Sequence, residues 1–162
     1  MDVTDETKVT RVWSRVMNQP EAITAPEAPA CERRITPEQV SELMRQELDS
    51  AAVYRYLACR VRGGAKGLLQ RLSEQERCHA KKLGAYYFLL TGKKYCPCRP
   101  APVCVTCINE TLRLLYEKEL ADAKKYRELS AFAAEQGCIL QSLSRDECEH
   151  AQQIFCILQN TL

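Results

Sequence analysis

The sequence predicts an all-α fold: a four-helix bundle built from two helical hairpins of one design. Three observations carry this. Apolar residues recur every three or four positions over four long segments, the spacing that lays a stripe along one face of a helix. Gly (6) and Pro (7) are sparse, and most Pro falls outside those segments, which argues against many short strands. The second half of the chain also repeats the first. Glu47-Leu48-x-x-Ala51-x-x-Tyr54-Arg55-x-Leu57 returns as Glu119-Leu120-x-x-Ala123-x-x-Tyr126-Arg127-x-Leu129, 72 residues on (119 − 47). Leu69-Gln70-x-Leu72-Ser73-x-x-Glu76-x-x-His79-Ala80 returns as Leu140-Gln141-x-Leu143-Ser144-x-x-Glu147-x-x-His150-Ala151, 71 residues on (147 − 76), so the second hairpin turn is one residue shorter. Two like hairpins are the natural halves of a bundle.

The first helix opens at Thr36-Pro37-Glu38-Gln39, where Thr serves as N-cap, Pro takes the first helical position and Gln completes a capping box. It is expected to reach about Arg62 and stop at Gly63-Gly64. The second helix is expected from about Ala65 to Thr91, ended by Gly92. The third is expected from about Cys107 to Gln136, ended by Gly137, and the fourth from Cys138 to about Asn160. Residues 36–162 are thus the bundle, with a Pro- and Cys-rich crossover at 93–107. Residues 1–35 stand apart as a tail. Thr7 to Met17 fits a short amphipathic helix with Val9, Val12, Trp13, Val16 and Met17 near one face, and Gln19 to Ala30 reads as a linker. Such a tail either docks Trp13 on the bundle or binds a partner.

At 162 residues the chain suits one domain with a buried core. Its composition, 46% hydrophobic and 27% charged, is that of a soluble globular protein. Net charge is only +2, with no basic stripe interleaved with aromatics, so nucleic acid is not an expected partner. No apolar run is long enough to cross a bilayer, so no membrane partner is expected. The segment Met1 to Glu6 is acidic where a secretory signal would be basic and then apolar, so the expected compartment is the cytoplasm. The 10 Cys are then expected as thiols or metal ligands rather than as a disulfide framework.

The chemistry lies where charge interrupts the apolar stripes. The second helix carries Leu69, Leu72, Glu76, His79, Leu83, Tyr86 and Leu90 on its core face; the fourth carries Leu140, Leu143, Glu147, His150, Ile154 and Leu158. Glu47 lies between Leu43 and Ala51 on a stripe that continues to Tyr54, and Glu119 between Leu115 and Ala123 on one that continues to Tyr126. Glu117 instead shares its face with Arg113 and Lys124 and reads as solvated. Four buried carboxylates without cations would be costly to desolvate and would repel one another, and no Lys or Arg shares their stripes. Two divalent ions would neutralise them. Carboxylate oxygen and imidazole nitrogen suit iron or manganese, and a Glu-x-x-His step puts both ligands on one helical face. The chain has only 2 His, and both complete that step. The competing reading, two core histidines each satisfied by a neighbouring Glu, leaves Glu47 and Glu119 unexplained.

One Glu from each of two helices with Glu-x-x-His from each of the other two resembles the ferritin-like superfamily, and most closely the di-iron domain of rubrerythrins, over about Thr36 to Asn160. The resemblance implies a ferritin-like bundle in which Glu47, Glu76, His79, Glu119, Glu147 and His150 hold two iron ions, with Glu76 and Glu147 bridging. It implies that Tyr54 and Tyr126 orient ligand carboxylates through hydrogen bonds, unless both are simply core aromatics. Rubrerythrins also use an extra carboxylate on the third helix; Asp122, three residues after Glu119, is the candidate here, although Asp is one methylene shorter than Glu and is otherwise a solvated helix charge. Cys96-Pro97-Cys98 and Cys104-Val105-Thr106-Cys107 lie too close together to make a rubredoxin domain, so either electrons are expected from an external donor protein or the chain is not a rubrerythrin in function. A homo-oligomer, a dimer, is the expected assembly.

The crossover must span the bundle, and about 14 residues at ~3.3 Å each reach ~45 Å, which suffices. Its Cys96, Cys98, Cys104 and Cys107 fit a structural zinc site, a thiol–disulfide pair that passes electrons, or unconnected reduced thiols. Cys78 and Cys148 adjoin ligands in sequence but point about 100° away. The expected function is a non-haem di-iron oxidoreductase reducing hydrogen peroxide to water. The alternatives are iron oxidation and storage, with dioxygen as oxidant, and a metal-binding protein without turnover.

Overall fold

The computed structural model describes residues 34–100 and 102–160; the amphipathic segment around Trp13 and the linker that follows it lie outside the described residues. Four helices follow in order: α1 (Pro37–Ala58), α2 (Gly63–Thr91), α3 (Ile108–Ser130) and α4 (Gly137–Gln159). No strand occurs among the described residues, which are all-α as the periodicity predicts.

Helix α1 begins with the expected capping box. Thr36 Oγ1 accepts from Gln39 N–H at 3.2 Å, and Gln39 Oε1 accepts from Thr36 N–H at 2.9 Å. Its end comes earlier than the expected Arg62. Cys59 N–H bonds to Tyr56 O and Arg60 N–H to Leu57 O, i−3 bonds that tighten the last turn and stop the helix at Ala58. Gly63 and Gly64, expected as a terminator, instead open α2, with Gly63 in the left-handed region at φ +65. Gly92 closes α2 as expected, at φ +67, its N–H bonded to Phe88 O at 2.7 Å. Leu90, placed on the core stripe by periodicity, is 40% exposed in this final turn.

Helix α3 also ends early, at Ser130 rather than Gln136. Phe132 N–H reaches back to Leu129 O at 2.9 Å, and a 3-10 turn, Ala134–Gln136, leads into α4. Gly137 is the first residue of α4 and not the last stop of α3. A Cβ at that position would sit 2.8 Å from the Ser130 carbonyl oxygen, so the tight approach of the two helix ends requires glycine there.

Helices α1 and α2 pack as one hairpin, α3 and α4 as the other. Each hairpin carries the same stitch: Ser73 Oγ donates to Ala51 O at 2.8 Å, and Ser144 Oγ donates to Ala123 O at 2.7 Å. Glu47 on α1 lies level with Tyr126 on α3, and Tyr54 with Glu119, so α1 and α3 run antiparallel. Helices α2 and α4 are antiparallel too, with Glu76 opposite His150 and His79 opposite Glu147. Helices α2 and α3 are then parallel, the arrangement that the long crossover allows.

Two apolar clusters fill the interior. Val40, Leu43, Met44, Leu83, Tyr86, Leu140 and Leu143 pack at one end. Leu57, Leu69, Leu72, Leu112, Leu115, Ile154 and Ile157 pack at the other. In sequence, the polar layer of Glu and His falls between these two clusters on every helix, Tyr126 being the α3 member of the first.

Candidate metal centre

Each helix carries its acidic residue at the middle of an apolar stripe, so burial of the stripe buries the carboxylate. Glu76, Glu119 and His150 are 0% exposed, Glu147 1%, His79 2% and Glu47 3%. All six residues read from the sequence are therefore inside the bundle. Ligand atoms of Glu76, His79, Glu147 and His150 lie within 4.8 Å of one another, a group that could hold a metal ion.

The two imidazoles stack with centroids 5.2 Å apart and planes 18° from parallel. Both turn Nδ1 towards the carboxylates. His79 Nδ1 lies 2.9 Å from Glu147 Oε1, 3.7 Å from Glu76 Oε2 and 3.8 Å from Glu47 Oε2. His150 Nδ1 lies 2.9 Å from both Glu76 Oε1 and Glu147 Oε2, and 3.8 Å from Glu119 Oε2. Glu76 and Glu147 thus each face both histidines, while Glu47 closes the His79 side and Glu119 the His150 side.

Tyr54 and Tyr126 are buried, and each donates its hydroxyl to a cluster carboxylate. The pairing crosses between hairpins: Tyr54 Oη–H donates to Glu119 Oε1, and Tyr126 Oη–H donates to Glu47 Oε1. Tyr54 stands two turns beyond Glu47, about 10 Å along the same helix, whereas the antiparallel run of α3 brings Glu119 to its level. Burial and the facing carboxylate push both phenols well above their ordinary pKa, so they remain donors.

Several polar atoms of the cluster are buried without a hydrogen-bond partner: both oxygens of Glu76, Glu119 Oε2, Glu147 Oε1, His79 Nδ1 and His150 Nε2. A buried polar group left unmatched costs about 1–3 kcal/mol. Apart from His150 Nε2, these atoms belong to the facing carboxylates and the imidazole edge turned towards them, so a bound cation would satisfy them together. Hard oxygen and imidazole donors in this set fit a divalent first-row metal.

Protons balance the charge otherwise. Burial, reinforced by neighbouring carboxylates, raises Glu76 to about 8 and Glu147 to about 7. Burial opposes the charge on Glu119, yet His150, Glu147 and the Lys118 ammonium bring it down to about 2. Glu47 is lowered as well, its burial outweighed by Glu76, His79 and Tyr126. Burial would depress both imidazoles, but the surrounding carboxylates hold His79 up at about 12 and His150 at about 11.

Asp122 does not join this group. Its carboxylate pairs with Lys118 Nζ at 2.5 Å, one turn back on α3, where the shorter Asp side chain finds a cation on its own helix. Cys96, Cys98, Cys104 and Cys107 are free and exposed, and none of them joins a metal-holding group among the described residues. Cys107 is the N-cap residue of α3.

Two residues were missed from the sequence. Asp146 Oδ2 lies 3.2 Å from His79 Nε2, and Lys82 Nζ lies 3.0 Å from the same oxygen. The signal was present as a break in the repeat: Gln75 stands at the position related to Asp146, and Gln153 at the position related to Lys82. Comparison of the chain with protein-family models, with curated proteins and with solved structures gives no match.

Proposed function

We propose that this chain is a ferritin-like, rubrerythrin-type protein that binds two iron ions and reduces hydrogen peroxide with electrons from an external donor. The observation that carries the reading is the buried pair of Glu-x-x-His motifs facing each other, closed at either side by Glu47 and Glu119. Iron is preferred to manganese on the resemblance and on a donor set that suits both. Bound ferrous iron would supply one electron per ion and Lewis acidity for cleaving the O–O bond, so that peroxide, two electrons and two protons give two waters. The protein's own residues do the rest. Glu76 and Glu147, which each face both histidines, would hold the ions together with the Nδ1 atoms of His79 and His150, while Tyr54 and Tyr126 fix the carboxylates of Glu119 and Glu47. The apolar clusters on either side limit access of water to the polar layer.

The test is metal analysis of protein purified without oxygen, followed by stopped-flow mixing of the reduced protein with each oxidant. About two irons per chain and faster oxidation by peroxide than by dioxygen are expected. Replacing Glu76 or Glu147 by Ala should remove both ions together. Faster oxidation by dioxygen with growing mineral would assign iron storage instead. Folded protein that stays metal-free in excess ferrous iron would overturn the reading altogether.

A further inference from the structure

Within the cluster the two halves are near copies. The tyrosine–glutamate pairs, the serine stitches and the contacts from each Nδ1 to its carboxylates all recur. Outside it they differ beside Glu119, where Lys118 stands and the related position is Gln46, and at the far edge of each imidazole. His79 Nε2 meets Asp146 on α4, and that carboxylate is itself held by Lys82 on α2. His150 Nε2 is buried with no hydrogen-bond partner. Gln75 and Gln153 occupy the positions related to Asp146 and Lys82, so the sequence supplies neither the anion nor the cation on that side.

This difference bears on metal binding. A carboxylate on Nε2–H selects the tautomer that leaves Nδ1 as a lone-pair donor, locks the ring and raises its basicity. His79 has all three advantages. His150 has none of them, and ligation through its Nδ1 leaves an N–H buried and unmatched. Resting on the di-metal reading above, we infer that the two ion positions are inequivalent: the position of His79, Glu47, Glu76 and Glu147 fills first and holds its ion more tightly than that of His150, Glu119, Glu76 and Glu147. Asp146 is the positioning residue that sets this order.

Cobalt(II), titrated without oxygen and followed by its visible absorption, tests the order independently of turnover. The wild-type protein should bind two ions in two resolved steps. His150→Ala should retain the tight step and His79→Ala should lose it. Asp146→Asn, at a partly exposed position, should weaken the first step by about 10- to 100-fold and leave the second, merging the two. Gln75→Asp combined with Gln153→Lys should tighten the second step. Two ions bound with indistinguishable affinities by the wild type, or an Asp146→Asn effect spread equally over both steps, would overturn the inference while leaving a two-metal site intact. No binding of either cobalt or ferrous iron would remove the di-metal reading and this inference with it.

Discussion

At the scale of single residues, the site is a set of buried charges whose geometry is enforced by neutral donors. Tyr126 Oη–H holds one oxygen of Glu47 from across the bundle, and Tyr54 does the same for Glu119. Removing one hydroxyl leaves a buried carboxylate oxygen unmatched and free to rotate. Tyr126→Phe should therefore weaken binding of the ion on the His79 side by about 10-fold or more. It should lower the stability of the metal-free protein by about 1–3 kcal/mol. Metal titration and thermal unfolding of the same variant measure the two effects. Asp122→Ala is the contrast: because Asp122 is paired with Lys118, ion stoichiometry should not change. Loss of an ion in that variant would return Asp122 to the ligand set.

At the scale of elements, the hairpin turns decide how well the halves of the repeat superimpose. The expectation of stop signals at Gly63 and Gly137 erred in the same way twice, because both glycines begin helices rather than end them. Gly137 is the more constrained, since its missing Cβ lets α4 start against the Ser130 carbonyl. Gly137→Ala should push the end of α3 away from the start of α4, at a cost of about 1–3 kcal/mol, the range for forced overpacking. Gly64→Ala, where an added Cβ meets nothing within 4 Å, should be neutral or slightly stabilising through helix propensity. Equal melting temperatures for the two variants would show that the close approach carries no energetic weight.

At the scale of the whole molecule, protons and metal ions compete for one cluster. Glu76 and Glu147 have folded pKa values raised from 4.5 to about 8 and about 7, so the folded protein holds protons that the unfolded chain releases, and stability falls as pH rises through that window. His79 and His150, raised from 6.5 to about 12 and about 11, stabilise fully below 6.5 and lose that contribution as pH rises towards those values. Glu119, depressed from 4.5 to about 2, and Glu47, also lowered, stabilise above 4.5 and lose it as pH falls. The metal-free protein should thus be most stable near pH 4.5 and melt at progressively lower temperature from there towards pH 9. Divalent ions bind the deprotonated ligands, so the stabilisation they add should grow over the same interval. Melting curves with and without metal at a series of pH values check this; a metal-free melting temperature that rises from pH 6.5 to 9 would contradict it.

Much of this was legible in the order of residues. Helical periodicity placed Leu69, Leu72 and Leu83 with Glu76 and His79 on one face, and the repeat supplied the matching face of α4, so the all-α architecture and the six converging residues follow from spacing alone. That works because a helix maps sequence position onto direction, and burial then follows the apolar majority on each stripe. What tertiary structure decided are the contacts between elements distant in sequence. The exchange of Tyr54 and Tyr126 between hairpins, the attachment of Asp146 and Lys82 to His79, and the separate fate of the crossover cysteines all depend on which levels of neighbouring helices coincide. Helix direction and offset are set by packing and turn length, and local spacing carries no information about which side chain stands opposite on another helix.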